Sequence, residues 1–525
     1  VRRSPFAAAL AERQSDPVDR DWLYVPYDQL TDQMGPLSKE DPSSVGIVIV
    51  ENVAKASLRP YHKQKLALVL ANMRHFALEQ AERGVAVRHV VTDESYAAAL
   101  APIANEFGPL RCMVPAEREL RTDLESLVIS GALELLPHEG WLTTREQFDA
   151  SHPRGAAWRM DRFYRRVRQD SGILMKDGAP VGGKFSFDAD NRRVWKGDPP
   201  APVPPRMRPD AVTEEVLEFV GSHFPKHPGR LDGESLPATK ADAARLWQWA
   251  RAECLREFGP YQDAMAAESS SLFHTRISAL LHLHRLLPSE VVGDVLEMDL
   301  PLASTEGFVR QVLGWREFVH HVHDATDGLR LLPNASSASE PNHLDVHGSL
   351  PAAFWGTQSG LECLDRVVAD VWREGYGHHI TRLMVLSNIA TLLDVSPREL
   401  TDWFWVAYTD AFDWVVEPNV LGMGTFAVGD LMTTKPYVAG SAYIDRMSDY
   451  CGGCAFNPKK DCPIRSLYWA FLERHRDKLQ GNHRLAIPLA SSAKRSEDQQ
   501  FADRSIFEQV GRDLRAGRTV QPVGA

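Results

Sequence analysis

Between Trp22 and about Leu136, short apolar runs alternate with amphipathic stretches. WLYVPY, VGIVIVEN, VAVRHVV, RCMVPA and LELLP are separated by segments such as KLALVLANMRHFALEQAERG, in which apolar residues recur at helical spacing. Brief β-branched runs spaced by helices predict a parallel sheet covered on both faces, a doubly wound α/β domain. No GxGxxG follows the first run, so a dinucleotide fingerprint is not indicated. The polar strand ends Asp28-Gln29-Leu30 and Glu51-Asn52 read either as ligand-facing positions or as helix caps. From about 146 to 235 the periodicity gives way to Gly, Pro and Arg, as in GGKFSFDADNRRVWKGDPPAPVPP, and a long connector is expected. After Leu236 the helical period returns in SLFHTRISALLHLHRLL, EGFVRQVLGWREFVHHV and ITRLMVLSNIATLLDV. The expected organisation is an α/β domain over 1–145, a connector over 146–235 and an all-helical domain over 236–525.

A chain of 525 residues, 44% hydrophobic and 25% charged, is long enough for two or three domains with substantial cores. No apolar run reaches membrane-spanning length, and VRRSPFAAALAERQ turns to charge too soon for a secretory signal. Six cysteines in so long a chain do not make a disulfide framework. A cytoplasmic protein is expected, with no membrane and no obligate protein partner. The net charge of −11 argues against nonspecific nucleic-acid binding over the whole surface. One segment departs from that average. RGAAWRMDRFYRRVR sets Arg154, Arg159, Arg162, Arg165, Arg166 and Arg168 against the single acid Asp161. A helix would align Arg159, Arg162 and Arg166 in one stripe, suited to phosphates or to acids elsewhere in the fold.

Four cysteines carry the strongest chemical signal: Cys451, Cys454 and Cys462 in YCGGCAFNPKKDCP, and Cys363 in LECLDRV. Thiolates at CxxC spacing, completed by a third and a fourth, suit zinc or an iron–sulfur cluster. Arg382 in HHITRLMVLSNIATLL and Asp410 in WFWVAYTDAFDWVVEPN lie within apolar helical sequence, where a lone charge is costly and a mutual pair is not. Such a pair is either a structural ion pair or one edge of a polar cofactor site. His378 and His379 precede the first of these segments, and imidazole moves protons near neutral pH. Trp355, Trp403, Trp405 and Trp414 crowd the same region; indoles are ordinary core, or a path for an electron beside a redox cofactor.

WREF (315–318), GYGHHITRLM (375–384), YTDAFDWVVEPNVLGM (408–423) and the four cysteines together resemble the prokaryotic iron–sulfur class of the photolyase and cryptochrome family, which includes bacterial (6-4) photolyases. The likeness runs nearly end to end. It implies a buried FAD in the helical domain and a 4Fe-4S cluster on Cys363, Cys451, Cys454 and Cys462. Tyr261, Thr275, Ser278, Arg316, Arg382, Asp410 and Asn419 match flavin-binding positions. The implied reaction is light-driven electron transfer from reduced FAD to a pyrimidine dimer, most simply the (6-4) photoproduct, flipped out of UV-damaged DNA. His379, next to His378, would supply the proton. Gln311, Trp315 and Met423 would line the lesion pocket, and Trp355 and Trp403 would carry the electron. A 6,7-dimethyl-8-ribityllumazine antenna would sit near Gln29 and Glu51.

Two positions depart from the class: Val416, where relatives carry a polar or acidic residue opposite the flavin, and Phe404, where tyrosine is common. Both tilt toward the alternative function, a cryptochrome-type blue-light photoreceptor without repair turnover. A third possibility, from a different class, is a light-independent nucleic-acid-binding protein built on the cluster, as in primase large subunits.

Overall fold

The computed structural model describes residues 4–153, 155–333 and 337–522. Five parallel strands, β1 (Asp21–Tyr24), β2 (Val45–Asn52), β3 (Ala86–Thr92), β4 (Leu110–Met113) and β5 (Leu133–Leu136), form one sheet in the order β3-β2-β1-β4-β5. Chain order reverses beside β1, which makes the carboxyl ends of β1 and β4 the topological switch point. β2 is buried along nearly its whole length, as expected of a parallel strand covered on both faces. Trp22 lies across from Gly46 in register, and a Cβ on that glycine would come within 2.6 Å of the indole. Only glycine lets the ring lie there.

The longest helix, Lys63–Glu82, packs its apolar side on the sheet and starts with His62 capping Gln64 N. Against it lies the helix Ala211–His223, which buries Val212, Val216 and Val220 at helical spacing and is capped by Asp210. Glu215 on that helix accepts from Ser4 Oγ at 2.6 Å and Phe6 N at 2.9 Å, fixing the first helix, Pro5–Arg13. The second half of the connector thus wraps back onto the α/β half. Among the described residues no helix is long and apolar enough to cross a membrane.

The remainder is helical. Besides Ala250–Cys254, three of its segments, Arg310–Arg316, Thr381–Ser387 and Pro418–Gly424, are wound as π-helix within longer α-helical runs. Wide turns of this kind recur at functional sites. Here all three contribute to the wall of one cavity.

Candidate active site

That cavity, about 280 Å³, is bounded by the three π-helical segments, the loop entering the helix Ser278–His282, and the turns around His378 and Asp410. At its polar edge Arg382 grips Asp410 with two parallel bonds, Nη1 to Oδ1 and Nη2 to Oδ2, each 2.9 Å. Arg382 Nε donates to Gly377 O at 2.6 Å, and its guanidinium lies 4.0 Å from the Tyr408 ring centroid. Ser278 Oγ donates to Asp410 Oδ2 at 2.6 Å, and His282 Nδ1 lies 2.9 Å from Asp410 O. Burial alone would raise Asp410, but the adjacent guanidinium reverses this and holds it below the usual carboxylate range. The couple inferred from sequence is therefore real, bidentate, and turned toward a cavity rather than sealed in the core.

Other polar atoms on the wall lack partners. Arg316 Nε and Nη2 and both ring nitrogens of His378 are buried with no hydrogen-bond partner among the described residues. Arg316 lies between the indoles of Trp141, at 4.4 Å, and Trp414, at 5.4 Å. Buried donors left open on a cavity wall call for a polar ligand. A flat molecule with hydrogen-bonding edges and an anionic arm satisfies them, so the residues present fit a flavin dinucleotide.

Thr275, Ser278, Arg316, Arg382, Asp410 and Asn419 all line the cavity, as do His378, His379, Gln311, Trp315 and Met423. Trp315 Nε1 donates to Asn419 Oδ1 at 2.7 Å, joining a lesion candidate to a flavin candidate. Tyr261 does not line the cavity. Its ring stacks on Phe273 at 5.3 Å and its hydroxyl donates to Asp198 O at 3.3 Å; its neighbour Gln262 reaches the wall instead. Ser278 is committed to Asp410 and so differs from the hydroxyl expected to meet a phosphate. His378 stacks on His274 at 4.5 Å, a residue that periodicity alone does not distinguish from core. His379 is exposed toward the cavity, yet the enclosing protein and the nearby Arg382 charge depress its pKa to about 4. Val416 and Phe404 also line the wall, so both departures from the class fall at the site itself.

A file of indoles leads away from this cavity. Trp355, 47% exposed, stacks on Trp372 at 5.5 Å, and Trp372 meets Trp403 edge-on at 5.9 Å. Both inner indole N–H groups donate to Phe354 O at 3.0 Å. Trp403 in turn contacts Phe404, at 5.2 Å, and Tyr408, at 6.1 Å, and Tyr408 lies beneath Arg382. Trp372 was the residue missing from the sequence reading; on the amphipathic helix Glu362–Glu374 it looks like core. Trp405 does not extend the file, because its ring packs under Arg59 at 4.1 Å.

Cys363, Cys451, Cys454 and Cys462 line one small cavity, otherwise walled mainly by Leu361, Ile444, Phe456, Pro458 and Ile464. Burial and the facing thiols push Cys363 well above its ordinary value. Among the described residues no three His, Cys, Asp or Glu side chains are gathered tightly enough for a single metal ion. The four sulfurs instead stand around a shared space, an arrangement that fits a cluster held by thiolates.

The antenna positions are not brought together. Gln29 Nε2 donates to Met113 O at 3.0 Å, beside the end of β4. Glu51 is clamped by Arg74 at 2.7 and 2.9 Å and approached by His89 at 2.9 Å. Past the ends of β2 and β4, Lys55 pairs with Glu117 at 2.9 Å, and Tyr27 also donates to Glu117. The protein's own side chains fill the switch point, and the residues present do not fit a lumazine held by Gln29 and Glu51.

The basic stripe is also partly redirected. Arg162, Arg165 and Arg166 are exposed on the helix Met160–Ser171, with Arg166 paired to Asp170 at 2.8 Å. Arg159 donates to the carbonyls of Asp430 and Leu431, and Arg168 is fully buried on those of Ile173, Leu174 and Phe185. Arg154 lies outside the described residues.

Residues 23–236 match the family described as deoxyribodipyrimidine photo-lyase-related protein. A (6-4) photolyase of Agrobacterium fabrum is 34% identical over 494 residues, spanning 90% of this chain and 95% of that one. Among solved structures, the bacterial class III photolyase from Agrobacterium tumefaciens superposes with a TM-score of 0.52 at 13% identity, covering 95% of this chain and 99% of that one. The Synechocystis cryptochrome superposes with a TM-score of 0.56 at 13% identity, covering 93% and 99%. These two likenesses establish the architecture, an α/β domain joined to a helical one.

Proposed function

The chain belongs to the bacterial (6-4) photolyase family, and from that membership we propose that it restores (6-4) pyrimidine photoproducts in UV-damaged DNA under blue light. The observation that carries this reading is the open cavity edged by the Arg382–Asp410 couple, with unpartnered Arg316 and His378 on its wall. FAD bound there in reduced form supplies, on illumination, the electron that the lesion requires.

The chain's own groups have separable tasks. Asp410 and Arg382 orient the cofactor's polar edge, and Arg316, flanked by two indoles, offers two free N–H donors. Gln311, Trp315 and Met423 receive a base flipped from the stack. His379, exposed toward the cavity, hands a proton to the lesion. Burial, and after it the charges of Arg382 and Arg310, oppose its charging in the free protein, and DNA phosphates at the mouth supply the compensating negative field. Arg162 and Arg165 add phosphate contacts that carry no sequence information. The four cysteines would hold a 4Fe-4S cluster, which would anchor the helix starts beside it. Buried free thiols at Cys112 and Cys254 suit a reducing cytoplasm.

The stacked and edge-on contacts of Trp355, Trp372 and Trp403 would give electrons a route from the surface to a flavin held in the cavity. Trp372→Phe is expected to slow photoreduction severalfold or more, with FAD content unchanged. Absorbance at the flavin band during illumination with a thiol reductant measures this; a wild-type rate would remove Trp372 from the route. The function itself is tested by illuminating the pure protein with an oligonucleotide bearing one (6-4) photoproduct. Repair in light and none in darkness is expected, and an intact lesion after illumination would defeat the reading.

A further inference from the structure

The helix Lys63–Glu82 belongs to the α/β half, yet its first turn is driven into the helical half. His62 N donates to Val406 O at 2.7 Å. Three residues later Lys65 is buried, 6% exposed, and its Nζ donates to Trp405 O at 2.9 Å and to Ala411 O. Those carbonyls bracket Asp410: Trp405 sits in the last turn of the helix Pro397–Ala407, and Ala411 follows the carboxylate directly. The rings of Tyr61 and Phe412 close over the ammonium at 4.6 and 5.4 Å. Two main-chain oxygens, two ring faces and the negative end of a helix take the place of its water. Burial lowers Lys65 well below the usual lysine range, and the Asp410 charge opposes that shift.

An ammonium is an expensive way to fill space, because an apolar chain of equal length would pack there without desolvation. Its geometry supplies the reason. Arg382, Ser278 and His282 hold Asp410 from the helical half, whereas Lys65 reaches the same turn from the other half and ties its two ends to one point.

We propose that Lys65 is a positioning residue for the flavin site: its ammonium clamps the Trp405–Ala411 turn and so sets Asp410, and with it Arg382, against the cavity. The proposal rests on the flavin reading above, and assigns the α/β half a part in holding FAD that needs no antenna pigment.

The test uses full-length purified protein and measures FAD affinity from the fluorescence of flavin released on dilution, with circular dichroism to confirm folding. Lys65→Met is expected to weaken FAD about tenfold, the effect of leaving buried carbonyls unpaired. Lys65→Gln, which can still donate to both oxygens, should retain most of the affinity. Lys65→Met combined with Asp410→Asn should bind scarcely worse than Asp410→Asn alone, because residues acting through one another are not additive. Wild-type affinity in Lys65→Met, a glutamine variant no better than methionine, or full additivity with Asp410→Asn would each overturn the assignment. Should Lys65→Met fail to fold, the same cycle with Lys65→Ala, which leaves room for water at the two carbonyls, decides: additivity with Asp410→Asn refutes the clamp, and non-additivity supports it. Wild-type protein that carries no FAD would sink the flavin reading itself, a result distinct from all of these.

Discussion

Cys363→Ser protein is expected to be recovered without iron, largely insoluble, and depleted of flavin. Cys363 lies in the first turn of the helix Glu362–Glu374, and Cys462 immediately precedes the helix Pro463–Arg474, which begins with proline. Joining these sulfurs to Cys451 and Cys454 through one cluster would pin two helix starts and a loop to a single point. The first helix runs from that point past Trp372 and stops at Gly375, whose φ of +63° turns the chain toward His378 and His379. Loosening its start therefore displaces both the indole file and the catalytic turn. Loss of a structural metal is among the few single changes that cost about 4–5 kcal/mol or more, enough to exhaust the margin of many domains. Iron quantitation on the soluble fraction checks the ligand set; wild-type iron in the variant would remove Cys363 from it.

His379→Ala should abolish repair while leaving FAD bound. A positioned acid is worth about a hundredfold to ten-thousandfold in rate, and His379 faces the cavity without contributing to the Arg382–Asp410 grip on its edge. The sign of its pH response follows from its surroundings. In the free protein its pKa is lowered to about 4, so the imidazolium is present only below that value and is lost as pH rises through it. A bound phosphodiester raises the pKa and extends the charged form upward. Repair under saturating DNA is then expected to fall at a higher pH than the free-protein pKa implies, and that descending limb should vanish in His379→Ala. Lesion turnover against pH for both proteins measures this. Repair retained at the wild-type level would take His379 out of the mechanism.

Much of this architecture could be read from the chain because the periods were clean. The runs that alternate with helices became β1 to β5 within a few residues, and the residues of HHITRLM and YTDAFDW meet as inferred, since a buried arginine and a buried aspartate have few ways to avoid the cost of isolation. The failures are equally physical. The helix Ala211–His223 has a regular apolar spacing, but prolines before it and Pro225 and Pro228-Gly229 after it obscured the pattern. Arg168 was read with its basic neighbours, although two residues beyond Arg166 a helix has turned inward; there it satisfies three carbonyls. Tyr261 was assigned by likeness to a motif, and a stacking partner twelve residues on, Phe273, took its ring elsewhere. Glu51 and Gln29 were chosen as unpaired strand-end polar groups, and no local pattern could reveal that Arg74 and the β4 carbonyls would claim them. Lys65, in the polar first turn Lys63-Gln64-Lys65 of its helix, gave no signal that it would be buried.

The three π-helical segments around the cavity have one more consequence. A wide turn is an α-helix holding one residue too many, so deleting a residue from Arg310–Arg316, Thr381–Ser387 or Pro418–Gly424 would let the helix relax to its ordinary pitch. Everything on one side would then rotate by about 100° relative to the other. Gln311 and Arg316, or Arg382 and Ser387, could no longer address the same space. Substitution can retouch such a wall, but shortening it by a single residue re-aims it, and this enclosure should drift in side chains while holding its length.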